Sequence, residues 1–239
     1  ADLPNDGERY RLLINNVVDN SGAPLQYTTP FEFDAAEVAL PPAQPPQALE
    51  FDGAGDFVST TLNIDQSSTS SGVTFEAWVF PTSNSSGRHH VISTNNGGSD
   101  WSLLRNGSTW QVFNGSNAVS TGFTVDVNSW QHIAVVFKPG VGFDFYKNGQ
   151  KFSSSSLFFD TNDANVNIGR NPQSGEYFDG IIDEVRVWNT QRTEAEILGA
   201  MNAPLVGDEL GLAGYWPLDE GTGNVTVDYS TNNNHGTLG

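Results

Sequence analysis

The chain has 239 residues, with 28 acidic against 10 basic side chains and a formal net charge of −18. Such a surface is a poor partner for nucleic acid or anionic membrane, and no apolar run approaches the length of a membrane span. Cysteine is absent, which removes disulfides and thiolate chemistry and leaves the compartment open. Ala1 begins no recognisable signal peptide, so either a leader has been removed or the chain is a piece of a longer one.

Residues 1–40 include RYRLLINNVVDNSGAPL, a strand, a DNSG turn and the start of another strand. PPAQPPQ (41–47) is proline-rich and extended, a linker or a strap over the surface. From residue 48 the chain is rich in Gly, Asn, Ser and Thr, and short alternating apolar runs recur between turn signals. TFEAWVF (74–80), WQVF (110–113), WQHIAVVF (130–137), FDFYKNGQKF (143–152) and NVNIG (165–169) read as strands. Asn148-Gly149 is a strong signal for a two-residue hairpin turn. TQRTEAEILGAM (190–201) reads as helical, with Thr193 as N-cap and Glu196 three residues on. The pattern predicts an all-β, two-sheet antiparallel jelly-roll sandwich with one short helix near 193–201.

GIIDEVRVW (180–188) reads as a further strand with two adjacent acids inside it. Strict alternation puts Ile181, Asp183, Val185 and Val187 on one face and Ile182, Glu184, Arg186 and Trp188 on the other. Glu184 can pair with Arg186 or with a neighbouring strand. Asp183 is then a lone carboxylate in an aliphatic row, which is costly without a partner. The residues leave its partner open: loop amides, Arg170, or a divalent cation.

ALEFDGAGDFV (48–58), VTFEAWVFP (73–81), WQHIAVVF (130–137), FYKNGQ (145–150), NIGR (167–170) and FDGIIDEVRVWNTQRTEAEI (178–197) together resemble a laminin-G-like domain. They are most similar to the bacterial branch of the concanavalin-A-like jelly rolls. The resemblance runs from about 48 to 201, with the motifs in the family's order. LAGYWPLDEGTGNVTVDYSTNNNHGTL (212–238) resembles the stretch that commonly opens such a domain, yet here it follows the helix. It either begins a cut-off repeat or closes this domain, and the apolar Tyr215, Trp216 and Leu218 favour closure, giving a domain of 48–239. Residues 1–40 resemble the closing strands of a bacterial immunoglobulin-like module, at less than half the roughly 100 residues such a sandwich needs.

The resemblance implies two packed antiparallel sheets, often with structural Ca2+, in binding or spacer modules of extracellular or cell-surface proteins. It also implies that the first and last strands lie close together. A calcium ion held by Asp52, the Gly55 carbonyl and Asp183 would then tie them, with Asp56 a rival for Asp52. DTNDAN (160–165) lacks the turn glycine and distal glutamate of an EF-hand loop, and His89-His90 lacks a third ligand for zinc.

Asp183-Glu184 points both ways from its strand, whereas retaining glycoside hydrolysis needs two carboxyls about 5 Å apart on one substrate. A non-catalytic module that binds polysaccharide or cell-surface glycan is therefore expected. The alternative is a structural or adhesive spacer between neighbouring modules, and a glycan-cleaving enzyme ranks below both. Trp101, Trp110 and Arg105 around a polar hairpin, with Arg88 in another polar loop, are the candidate ligand contacts, whereas Trp78, Trp130 and Trp188 are expected in the core.

Overall fold

The computed structural model describes residues 47–64, 71–94, 101–157 and 165–239. The chain divides into two compact units, 1–46 and 47–239, and the description below concerns the second. The strand segment 1–40, nearly all of the proline-rich stretch, and DTNDAN except Asn165 lie outside the described residues.

In chain order the strands begin with β1 (Leu49–Asp52), β2 (Val58–Asn63), β3 (Val73–Pro81), β4 (Arg88–Ser93) and β5 (Trp101–Asn106). There follow β6 (Thr109–Asn114), β7 (Ala118–Thr124), β8 (Gln131–Lys138), β9 (Gly142–Lys147) and β10 (Gln150–Ser154). The last are β11 (Asn165–Ile168), β12 (Asp179–Trp188), β13 (Leu212–Trp216), β14 (Val225–Thr226) and β15 (Gly236–Leu238), with helix α1 (Glu194–Ala200) between β12 and β13. One sheet runs β1-β12-β3-β8-β9-β10, with β13 also paired to β12. The other runs β14-β15-β2-β11-β4-β5-β6-β7. Every pairing is antiparallel, and the architecture is the expected all-β sandwich.

Alternation explains the core. Phe75, Ala77 and Val79 of β3 and Ile133, Val135 and Phe137 of β8 face inward and meet Trp101, Leu103, Trp110 and Val112 from the other sheet. Phe75 and Phe137 pack edge to face with ring centres 5.6 Å apart, and Trp101 lies 5.2 Å from Phe137. The β9–β10 hairpin turns on Asn148 and Gly149, both at positive φ (48° and 78°), the geometry of a two-residue primed turn. Residues 212–238 contribute to both sheets: β13 pairs with β12, and β15 pairs with β2. Trp216 and Leu218 from this segment are buried in the main core.

Helix α1 covers part of the outer face of the seven-stranded sheet, where Ile197 packs on Ala134, Val136 and Tyr146. Thr193 caps it: its side chain accepts from the Glu196 amide, and the Glu196 carboxylate accepts from the Thr193 amide. The helix's last turn leaves carbonyls without intrahelical partners. Arg186 donates to the carbonyls of Ala200 (2.9 Å) and Ala203 (2.7 Å), and Trp78 Nε1 donates to the Met201 carbonyl (2.6 Å). Thr193→Ala removes the N-cap and should lower stability by about 1 kcal/mol in urea denaturation. An unchanged midpoint would show that docking through Ile197 alone holds the helix.

Candidate functional site

The lone acid of β12 is placed by a β-bulge. Register with β3 shifts between Asp183 and Arg186, and Glu184 takes φ 52°, a conformation uncommon for any residue but glycine. The extra residue reverses the alternation. Ile182 before the bulge and Val185 and Val187 after it are all in the core. Asp183 therefore does not share a face with Val185 and Val187. It is half-buried on the outer face with Ile181, opposite Trp78 of β3.

Asp183 accepts the Glu184 amide (2.9 Å) and has no ion pair among the described residues. Arg170 is not its partner: that guanidinium stacks on Phe57 at 3.3 Å and bonds Asn167 and Ser59 on the other sheet. Burial, then the neighbouring Glu184 and Asp219 carboxylates, push the Asp183 carboxyl up to about 7. Glu184 itself is engaged by Arg186 and by the Tyr215 hydroxyl (2.8 Å).

The expected calcium ligands are not brought together. In the β1–β12 pair, Asp52 faces Asp179, four residues from Asp183, which is about 13 Å along a strand. Two carboxylates standing off a sheet cannot share an ion whose ligands lie at about 2.5 Å across that separation. Asp52 is also committed locally. Its carboxylate accepts the amides of Ala54 (2.7 Å) and Gly55 (3.1 Å), and its own amide donates to Asp56 (2.9 Å). Those amides hold its carboxyl below the usual range. FDGAGDF is thus a self-capped turn, with Gly53 required at φ 77° because a side chain there would strike Asp179. No group of three metal-ligating side chains exists among the described residues. The double variant Asp52→Ala/Asp183→Asn should show additive stability changes within about 0.5 kcal/mol. A larger coupling that vanishes on chelation would restore the shared ion.

Three of the four expected ligand contacts are buried. Trp101 and Trp110 are fully buried, and Trp110 Nε1 donates to Gln131 (3.0 Å). Arg105 is also fully buried, donating to the carbonyls of Ser85 (3.1 Å) and Gly107 (3.3 Å) and pairing with Asp179. None of the three can stack on or bond to a soluble sugar. Trp101, Leu103 and Arg105 share the inward face of β5, so the alternation itself puts them inside. Arg88 is exposed, its guanidinium 5.7 Å from the Phe113 ring.

The adjacent histidines divide as their alternation suggests. His89 bonds the Tyr177 carbonyl (2.7 Å) and Ser85, whereas buried His90 bonds Glu176 (2.8 Å). The His90 hydrogen bond holds the Glu176 carboxyl down at about 2. Both histidines are structural.

An aromatic site lies instead on the outer face of the seven-stranded sheet, beyond the area covered by α1. Trp130, expected in the core, is 41% exposed. Its ring centre is 5.6 Å from Phe80, at an interplanar angle of 59°, so the two rings form an open corner. Phe80 lies opposite Ile181, which lies opposite Glu50. In the adjoining row, His132 lies opposite Trp78, which lies opposite Asp183. Trp78 and His132 pack edge to face at 5.6 Å. Phe80, Trp78 and Ile181 are each half-buried. The combination presents ring faces and C–H surface beside carboxyl groups. The signal was present in the sequence: Trp130 has the parity of His132, opposite to Ile133, Val135 and Phe137.

The concanavalin A-like lectin/glucanases family model matches residues 52–198. Among solved structures, a proposed carbohydrate binding protein from Bacteroides ovatus is similar with a TM-score of 0.63 and 23% identity. That match covers 80% of this chain and 57% of the other. A Trypanosoma rangeli sialidase, in complex with 2,3-difluorosialic acid, is similar with a TM-score of 0.53 and 17% identity, covering 65% of this chain and 27% of the other. At these identities the likeness is one of fold, and the chain spans well under two thirds of either structure. No curated protein matches the chain. The family match extends over more than half of the 239 residues, so the chain belongs to the concanavalin A-like lectin/glucanases superfamily.

Proposed function

We propose that this domain is a non-catalytic carbohydrate-binding module that takes a polysaccharide or cell-surface glycan on the aromatic corner formed by Trp130 and Phe80. The observation that carries the reading is the exposed Trp130 ring immediately before β8, against the outer sheet face, with Phe80, Ile181 and Trp78 beside it. A large indole left in water at the start of a sheet strand is apolar area available to a ligand's C–H face. Membership of the superfamily and the fold-level likeness to a proposed carbohydrate binding protein agree with this reading. Non-catalysis is favoured because Glu184, the carboxylate next to Asp183, is tied to Arg186 and Tyr215. An extracellular or cell-surface location follows from where such glycans are met, and no described helix is long and apolar enough to cross a membrane. The proposal does not include an ion shared by Asp52, Gly55 and Asp183.

Affinity electrophoresis in gels containing plant and marine polysaccharides tests the proposal. The wild-type protein should be retarded by at least one of them. Trp130→Ala should weaken that retention at least tenfold in Kd, about 1.4 kcal/mol, with an unchanged melting temperature. No retention on any polysaccharide would leave the spacer reading.

A further inference from the structure

Asp183 sets what kind of glycan the corner can accept. It stands on the same outer face as Ile181 and directly across from Trp78. Trp130 lies two strands and one row away, about 12 Å at ordinary strand spacing and rise, so a di- or trisaccharide resting on Trp130 reaches the carboxyl. The charged groups around Asp183 are mostly acidic or already committed. On its own strand, Glu184 is held by Arg186 and Tyr215. The Arg186 guanidinium is spent on Glu184 and on the carbonyls after α1. Asp219 adds a second negative neighbour. From β3, buried Glu76 lies 3.4 Å from His132 and 4.0 Å from Arg192, and Lys138 of β8 is paired with Asp144. From β1, Glu50 is exposed at the end of the neighbouring row.

Resting on the glycan-binding reading above, we propose that the corner prefers glycans bearing free amino groups, with Asp183 receiving the ammonium of a sugar unit next to the one stacked on Trp130. A carboxyl with one hydrogen bond and no ion pair among the described residues, beside two other acids and next to an aromatic ring, gains a charge-assisted partner from such a sugar. A neutral sugar leaves that carboxyl uncompensated, and a uronic or sulfated sugar adds repulsion to a surface of net charge −18. The upward displacement of the carboxyl to about 7, from burial and the Glu184 and Asp219 carboxylates, agrees with a group that has no ion pair among the described residues.

Calorimetric titration at pH 7 with tetramers of glucosamine, N-acetylglucosamine, glucose and galacturonic acid tests this. Short oligomers limit the general attraction of a long polycation to an acidic protein. The expected order is glucosamine at least tenfold tighter than the two neutral tetramers, with galacturonate weakest. Asp183→Asn should remove that preference, and Asp208→Asn, an exposed acid outside the corner, should keep it. Trp130→Ala should weaken every tetramer that binds. Equal affinity for amino and neutral tetramers, lost on Trp130→Ala, would overturn the amino preference and keep the corner. A preference reduced equally by Asp183→Asn and Asp208→Asn would overturn it as nonspecific attraction. Binding insensitive to Trp130→Ala, or none to any tetramer, would overturn both.

Discussion

Arg105→Ala should lower the unfolding free energy by about 3–5 kcal/mol and leave the glycan affinity of the folded protein unchanged. The guanidinium is fully buried, donates to the Ser85 and Gly107 carbonyls and pairs with Asp179. Truncation strips the partly buried Asp179 carboxylate of its cation and leaves two carbonyls short of a donor, each an unmet desolvation cost. Asp179 also faces Asp52 in the β1–β12 ladder, so the damage spreads to the edge of the sheet. Urea denaturation and calorimetric titration at a temperature where the variant is folded separate the two effects. Arg105→Lys keeps the charge and loses the fork, so an intermediate loss is expected. A variant of ordinary stability with reduced affinity would return Arg105 to the ligand.

Asp183→Asn should stabilise the protein at pH 8 and flatten its pH dependence. The carboxyl moves from 3.8 to about 7 on folding, so between those values the folded state holds a proton that the unfolded state has released. Wild-type stability is therefore fully present below about pH 4 as far as this group is concerned, and it falls as pH rises toward 7. A fully buried acid displaced that far would lose about 4 kcal/mol. Solvent around a half-exposed side chain screens much of this, which leaves about 1–2 kcal/mol. Asparagine keeps an oxygen to accept the Glu184 amide. Denaturation series at pH 4 and pH 8 should show the variant ahead at pH 8 and level with wild type at pH 4. Equal curves at both would mean that Asp183 is well solvated.

Much of the sandwich was legible because strands alternate. TFEAWVF and WQHIAVVF encode their inward faces directly, and Asn148-Gly149 and the Thr193–Glu196 pair encode a turn and a cap through local hydrogen bonding and φ. The same alternation carried the location of Trp130 on the outer face and of Arg105 on the inner one, but residue type outweighed parity in the reading. Asp183 was misplaced for a different reason. The bulge at Glu184 has no glycine to mark it, so a strict two-residue period assigned Asp183 to the face of Val185 and Val187. The motif FDGAGDF looked like a ligand loop because carboxylates that cap amides and carboxylates that hold ions share one residue pattern; the self-capping appears only with the backbone geometry.

Tryptophan fluorescence during a glycan titration tests the aromatic corner most directly, because Trp101, Trp110, Trp188 and Trp216 are fully buried and Trp130 is the most exposed indole. With a glycan that retards the protein in gels, wild type should show a saturable spectral shift. Trp130→Phe, which keeps a ring for stacking, should retain the binding measured by calorimetry and lose most of the spectral signal. A signal of wild-type size in Trp130→Phe would contradict the account, because the ligand would then be perturbing Trp78 or a buried indole rather than Trp130.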